Sequence, residues 1–263
     1  MLYTAKTLFR SLLLAFGRVL GFCMFRMTIQ GQENLPPHKL RPLLLISNHF
    51  SWFDAAILAI YLPYQPAFII ATESLRLRWY AVFIRLFDSI PIWRGQVDRK
   101  ALATAQEYLR CDIVVGLFPE GGMNPDIAER VARGEQIHEV RAHASRRSGQ
   151  LARGRSGSAL LATSSEAYIL PVVLYGTEFI LDNLPNFRRT DITMRIGPVF
   201  GPLTIDPSLR GPARRARLDE LTDEMMRRLA ALMPPERRGP YADPSATPAQ
   251  EAPPETGQRV AAQ

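Results

Sequence analysis

A chain of 263 residues with 47% hydrophobic side chains can bury a sizeable core, as one large α/β domain or two small ones, so it is not an intrinsically disordered protein. Its 32 Lys+Arg against 25 Asp+Glu leave a formal charge of +7; nucleic acid, anionic lipid headgroups and phosphorylated metabolites all qualify as partners. Only Cys23 and Cys111 occur, too few and too far apart for a disulfide framework or a cysteine metal site, which points to a reducing, cytosol-facing location.

The first segment, residues 1–28, contains "LFRSLLLAFGRVLGFCMF". Arg10 and Arg18 interrupt this run, whereas a membrane span wants about 20 mainly apolar residues. No small-x-small cleavage site follows, so a signal peptide is not expected either. At about 100° per residue, Lys6, Arg10, Gly17, Arg18 and Gly21 fall on one side of a helix. Leu8, Phe9, Leu12, Leu13, Phe16, Val19 and Leu20 fall on the other, with Leu14 as the exception. A cationic face opposite an apolar one is the pattern of a helix lying in a membrane interface. The competing reading is a helix that packs its apolar face on its own domain.

After a proline-bearing connector, "LLLISN" reads as a short buried strand and "SWFDAAILAIYL" as a helix. "PAFIIAT" is a second strand, and "RLRWYAVFIRLFDSI" and "VDRKALATAQEYLR" are helices. "DIVVGLFPEGG" is a strand running into a glycine turn; residues 123–155 are charged and irregular. "GSALLATSSEA" is a helix, "YILPVVLYG" and "DITMRIGPVF" are strands, and "RRARLDELTDEMMRRLAALM" is a helix. From Pro234 onward the chain is rich in Pro and Ala with almost no apolar bulk, so residues 234–263 are expected to be disordered. Alternating short strands and helices predict an α/β domain over 29–233, with a mixed, mostly parallel sheet flanked by helices and an insertion at about 123–153.

Within "SNHFSWFD", His49 and Asp54 are five residues apart. Inside one helix that offset would turn them about 140° away from each other. They meet only if His49 lies in the loop and Asp54 in the first helical turn. Ser51 followed by an acid three residues later has the spacing of a capping box, which supplies that arrangement. Ligand sites in open α/β sheets favour this carboxyl edge of the strands. An imidazole held by a carboxylate is a general base worth about 10²–10⁴-fold. The plain alternative is a capping aspartate beside a loop histidine. The chain has no G-x-S-x-G elbow and neither cysteine sits in a nucleophile setting, so a base in this position would activate a substrate hydroxyl directly. That predicts transfer.

Further along, Arg94 and Gly95 stand in "PIWRG", and Arg94 has the planar fork suited to a phosphate or carboxylate. Glu120 ends an apolar strand ahead of Gly121 and Gly122, a pair that lets a ligand approach the backbone. Pro171 sits within "ILPVV". In this order, "NHFSWFD", "PIWRG", "FPEGG" and "ILPVV" resemble the four blocks of the glycerolipid acyltransferase family, the PlsC-type lysophosphatidic acid acyltransferases, over roughly residues 20–203.

The resemblance implies an O-acyltransferase of phospholipid biosynthesis in which His49 is the general base and Asp54 orients it. Arg94, Gly95, Glu120, Gly121 and Gly122 would bind the phosphate or glycerol of the acceptor, and Pro171 would shape the acyl side. The donor would be acyl-CoA or acyl-carrier protein, with no metal or other cofactor in the chemistry. The acceptor would be 1-acylglycerol-3-phosphate, with another lysolipid, glycerol-3-phosphate or a glycolipid as alternatives. The expected location is peripheral or monotopic, on the cytoplasmic face of the cell membrane.

One block departs from the family pattern. It reads "EGGMN", where the family continues Glu-Gly-Thr-Arg-Ser, so Met123 occupies the position of a common arginine. About thirty residues intervene before "ARGRSGSALLA", and Arg153 or Arg155 is the candidate replacement. The arginine-rich insertion reads either as a solvated loop or as a docking surface for anionic lipid or an acidic carrier. Its lack of aromatics argues against single-stranded nucleic acid. His138 and His143 are five apart, one too many for a helical zinc pair. A non-catalytic membrane- or nucleic-acid-binding protein is the remote alternative.

Overall fold

The computed structural model describes residues 2–71, 86–92, 98–122 and 145–243. Seven strands form one sheet: β1 (Phe25–Gln30), β2 (Leu43–Ser47), β3 (Ala67–Ala71), β4 (Ile90–Ile92), β5 (Val115–Leu117), β6 (Tyr168–Tyr175) and β7 (Thr190–Ile196), in the order β1-β7-β6-β2-β5-β3-β4. Every neighbouring pair is parallel except β6–β7. β1 and β7 therefore run against the other five. The carboxyl ends of β2, β5 and β6 share one edge of the sheet with the amino ends of β1 and β7.

The central strand β2 is buried along its whole length, as its unbroken apolar run requires. Its side chains alternate between two cores. Leu44 and Ile46 join a cluster with Ala101, Ala105 and Leu109 of α3 (Arg99–Arg110), Ala159 and Leu161 of α4 (Gly157–Ser164), and Met225 and Leu229 of α6 (Gly211–Leu232). Leu43 and Leu45 join the opposite cluster, with Ala55, Ile57 and Leu58 of α2 (Asp54–Tyr61). The expected mixed, mostly parallel α/β sheet is the one observed. The helix read over "RLRWYAVFIRLFDSI" falls largely outside the described residues.

Proline within the inner strand β6 has a local explanation. Alternation along β6 turns the nitrogen of residue 171 toward β7, the direction in which Ile169 N–H donates to the Phe200 carbonyl at 2.8 Å. The ladder with β7 begins only at Val172 opposite Ile196. Position 171 thus falls in the gap between that ladder and the Ile169–Phe200 bridge, where a missing donor costs nothing.

Helix α1 (Leu2–Met24) packs the reverse of an ordinary surface helix. Its polar side faces the domain: Arg18 donates to the Ile60 carbonyl at 3.0 Å and Arg10 to the Gln65 carbonyl at 3.3 Å. Gly17 and Gly21 permit a close crossing, since a Cβ at either would collide with Ile60 or Tyr61. Leu14, the exception on the wheel, is buried on this side. Leu8, Phe9, Leu12, Phe16, Val19 and Leu20 point outward and are exposed. Of the apolar face only Leu13 packs on the described part of the domain, against Leu14, Ala59, Leu86 and Phe87.

The expectation of disorder from Pro234 needs correction. Residues 234–243 fold back as two 3-10 turns, Pro235–Arg237 and Gly239–Tyr241, and Tyr241 is buried. The strap is held largely by hydrogen bonds, such as Leu151 N–H to the Arg237 carbonyl at 2.9 Å and the Arg237 guanidinium to Glu178, so it needs little apolar bulk. Residues 244–263 lie outside the described part.

Candidate active site

His49 stands two residues beyond β2, at the sheet edge where β5 and β6 also end, and Asp54 is the first residue of α2. Asp54 Oδ2 accepts the Phe50 and Ser51 amides at 2.7 Å each and lies 3.0 Å from His49 Nδ1. The Ser51 bond is the acid's half of the expected capping box. The other half differs: Ser51 Oγ reaches only the Phe53 amide, at 3.4 Å, and a tight turn from Ser51 to Asp54 precedes the helix. The helix starts at Asp54 itself, so the acid closes the loop instead of sitting three residues inside the helix.

Asp54 is fully buried, which makes its carboxylate a fixed acceptor. With Nδ1–H donated to it, the lone pair of His49 falls on Nε2, which makes no hydrogen bond among the described residues. The His49 side chain is 14% exposed, so one edge of the ring meets solvent. Its plane is set by stacking on Phe118, with centroids 4.0 Å apart and planes 12° from parallel. Phe118 in turn stacks on Phe68. Asn48 fixes the loop from the other side, exchanging side-chain hydrogen bonds with the Leu174 amide (2.8 Å) and carbonyl (2.7 Å) of β6.

Glu120 is also fully buried, and both its oxygens are engaged within the protein. Oε1 accepts the His49 backbone amide at 3.0 Å; Oε2 accepts the Ala152 amide at 2.8 Å and the Arg146 guanidinium. Arg146 further donates to the carbonyls of Gly122 (2.7 Å) and Gln150 (3.2 Å). Its own amide bonds the Phe50 carbonyl at 2.7 Å, beside an antiparallel bridge between Ser51 and Ser145. Glu120 is thus a clamp between the histidine loop and the segment that returns from the insertion.

The other expected residues divide. Gly121 takes φ +77°, and a Cβ there would sit 3.0 Å from the Arg155 side chain, so Arg155 lies across the glycine turn; its amide donates to the Pro119 carbonyl at 2.8 Å. Gly122, at φ +144°, supplies the carbonyl for Arg146. Pro171 is buried inside the sheet, beside Gly197. Arg94, Gly95, Met123, His138 and His143 lie outside the described residues. Among those described, no group of three His, Cys, Asp or Glu is placed to hold a metal ion.

Three residues were missed: Arg146, Phe118 and Asn48. Arg146 was read only as one of several insertion arginines. No local signal separates it from its neighbours, since "SRRSG" holds Arg146 and Arg147 side by side in a charged insertion.

Comparison with known proteins gives the family and a likeness of fold. A family model described as Acyltransferase matches residues 26–175, more than half of the chain and the stretch from β1 to the end of β6. The crystal structure of the 1-acyl-sn-glycerophosphate (LPA) acyltransferase PlsC from Thermotoga maritima superposes with a TM-score of 0.54. The match is 20% identical in sequence and covers 85% of this chain and 80% of that one, a likeness of fold. The histidine–aspartate turn, its clamp and the sheet around them are those of a chain that belongs to the acyltransferase family.

Proposed function

We propose that this chain transfers an acyl group from acyl-CoA or acyl-carrier protein to the free hydroxyl of 1-acylglycerol-3-phosphate, giving phosphatidic acid for phospholipid biosynthesis. The observation that carries the reading is His49 Nδ1 at 3.0 Å from a buried carboxylate, with the other ring nitrogen on the accessible edge. His49 Nε2 takes the proton of the acceptor hydroxyl as its oxygen attacks the thioester carbonyl. The tetrahedral intermediate then expels the thiolate, which takes the proton back from the imidazolium. Asp54 keeps the tautomer and stabilises the imidazolium meanwhile. Among the described residues no serine, threonine or cysteine side chain bonds His49, which supports direct transfer without an acyl-enzyme. Arg155, lying across the Gly121 turn, and Arg94 are assigned to the acceptor phosphate.

The protein is placed at the cytoplasmic face of a membrane, attached by the exposed face of α1. No described helix is long and apolar enough to cross a bilayer; the outward apolar face of α1 supports attachment in the interface. The deciding experiment is an acceptor screen with purified protein and labelled acyl-CoA, with His49→Ala alongside. Transfer to lysophosphatidic acid that drops about 10²–10⁴-fold in the variant supports the proposal. Transfer only to an unphosphorylated acceptor, or equal rates in both proteins, overturns it.

A further inference from the structure

Exposed large apolar side chains of the described residues are gathered in two places. Among the described residues they are Leu8, Phe9, Leu12, Phe16, Val19, Leu20 and Phe22 on α1, and Phe179, Leu181, Leu184 and Phe187 around the short helix α5 (Ile180–Asn183); apart from these, only Trp52 and Ile113 qualify. Scattered exposed apolar residues are ordinary, but contiguous ones mark a contact surface. These two groups are contiguous. An open pocket lined by Cys23, Met24, Phe25, Leu184, Phe187 and Arg188 joins the end of α1 to the end of the second group. Arg189 ties them together, donating to the carbonyls of Phe22 (2.7 Å) and Phe25 (2.6 Å).

The second group is held outward by its framework. Glu178, buried at its base, accepts the Gly176 amide at 2.9 Å and the Arg237 guanidinium. Arg147 pairs with Asp182 at 2.6 Å, and Asn183 Nδ2 donates to Thr190 Oγ1 at 3.1 Å. At the tip, Phe187 is 99% exposed with φ +50°, a left-handed backbone that is unfavourable for an aromatic residue. A rigid support that presents a bare phenyl ring at a strained position needs an apolar phase to receive it. Arg188 follows that ring directly, giving the aromatic-then-cation order that suits the boundary between acyl chains and anionic headgroups.

We propose that the ridge Phe179–Phe187 is a second membrane anchor, inserting into an anionic bilayer beside the outer face of α1. The ridge begins just after β6, at the same sheet edge as His49. Two anchors fix an orientation where one leaves the domain free to swing, and here they turn the edge carrying His49 toward the lipid surface. The inference rests on the acyltransferase reading for the meaning of that orientation, and on the ridge alone for the binding.

The test uses the full chain with vesicles of phosphatidylcholine and phosphatidylglycerol, comparing wild type, Leu184→Asp/Phe187→Asp and Ile113→Asp by flotation. All three sites are exposed, so matched melting temperatures confirm folding. The ridge variant should bind vesicles at least about tenfold more weakly, whereas Ile113→Asp, on the opposite sheet edge, should bind as wild type does. Acylation of a long-chain acceptor presented in vesicles should fall in the same proportion. Acylation of a short-chain, water-soluble acceptor should stay within about twofold of wild type. Unchanged flotation of the ridge variant overturns the anchor, as does a change confined to self-association in sedimentation, which would assign the ridge to a second copy of the chain. Equal losses on both acceptors overturn it too, since the ridge would then serve the site itself. Absence of acyl transfer by wild type on either acceptor defeats the proposed function, while flotation still decides the anchor.

Discussion

Asp54 and Glu120 are both fully buried carboxylates that hold the histidine loop, yet they draw on different parts of the chain. Asp54 finds its partners three to five residues away, in Ser51, Phe50 and His49. Glu120 reaches across 71 residues to the His49 amide and across an insertion to Arg146 and Ala152. One carboxylate faces the imidazole ring and the other only the backbone beneath it. On the proposed mechanism the pair separates chemistry from placement: a local turn carries the proton-handling geometry, and a tertiary clamp fixes where that turn stands.

Removing the charge of Asp54 should break this division most visibly. In Asp54→Asn the amide oxygen still accepts the Phe50 and Ser51 amides, but nothing stabilises the imidazolium. Turnover should fall about 10²–10⁴-fold with melting barely shifted, because the lost interaction belongs to the reaction. A large melting loss with little kinetic loss would make Asp54 a cap and no more.

The clamp should respond the other way. Arg146→Met leaves Glu120 buried without its counter-charge, which costs about 3–5 kcal/mol of stability. The measurement is chemical denaturation of this variant beside Glu120→Gln and the double variant. Glu120→Gln/Arg146→Met should recover part of the loss, since the neutral amide oxygen can still accept the His49 amide while its NH2 replaces the oxygen that accepted the Ala152 amide. Simple additivity of the two single losses would show that the groups do not act as a pair.

The same contrast explains what could be read from residues alone. The meeting of His49 and Asp54 was legible because helix geometry over five residues leaves one solution. The sheet was legible from runs such as Leu43–Ser47, whose lack of alternation requires burial on both faces. The Glu120–Arg146 pair was not, because no local period links a strand end to a loop beyond an insertion. Helix α1 was half legible: a helical wheel separates two faces without saying which one meets the domain. Here glycines and arginine-to-carbonyl bonds took the inner position that apolar packing usually fills. The strap at 234–243 was hidden for a related reason, since composition registers apolar bulk, and hydrogen bonds to distant parts of the chain leave no trace in it.

That strap offers the smallest and most specific test. Tyr241 donates to Asp223 Oδ1 and accepts the Gly154 amide, both at 3.1 Å, which ties it to the loop carrying Ala152 and so, indirectly, to Glu120. Burial pushes its phenol well above the ordinary value of 10.0. In the folded protein the hydroxyl therefore keeps its proton where the unfolded chain begins to release it. The sign follows: this contribution is complete below about pH 10 and is lost progressively as the pH rises above it toward the folded value. Tyr241→Phe should be less stable than wild type by about 0.5–1.5 kcal/mol at neutral pH. The gap should narrow above pH 10, as wild type alone bears the cost of ionising a buried phenol, and melting curves across the alkaline range would measure it. A gap that stays constant through that range would mean the phenol ionises as freely when folded as when unfolded. Either way the clamp should hold, because Glu120 keeps its bonds to His49 and Arg146, and only the outer support of the loop has been loosened.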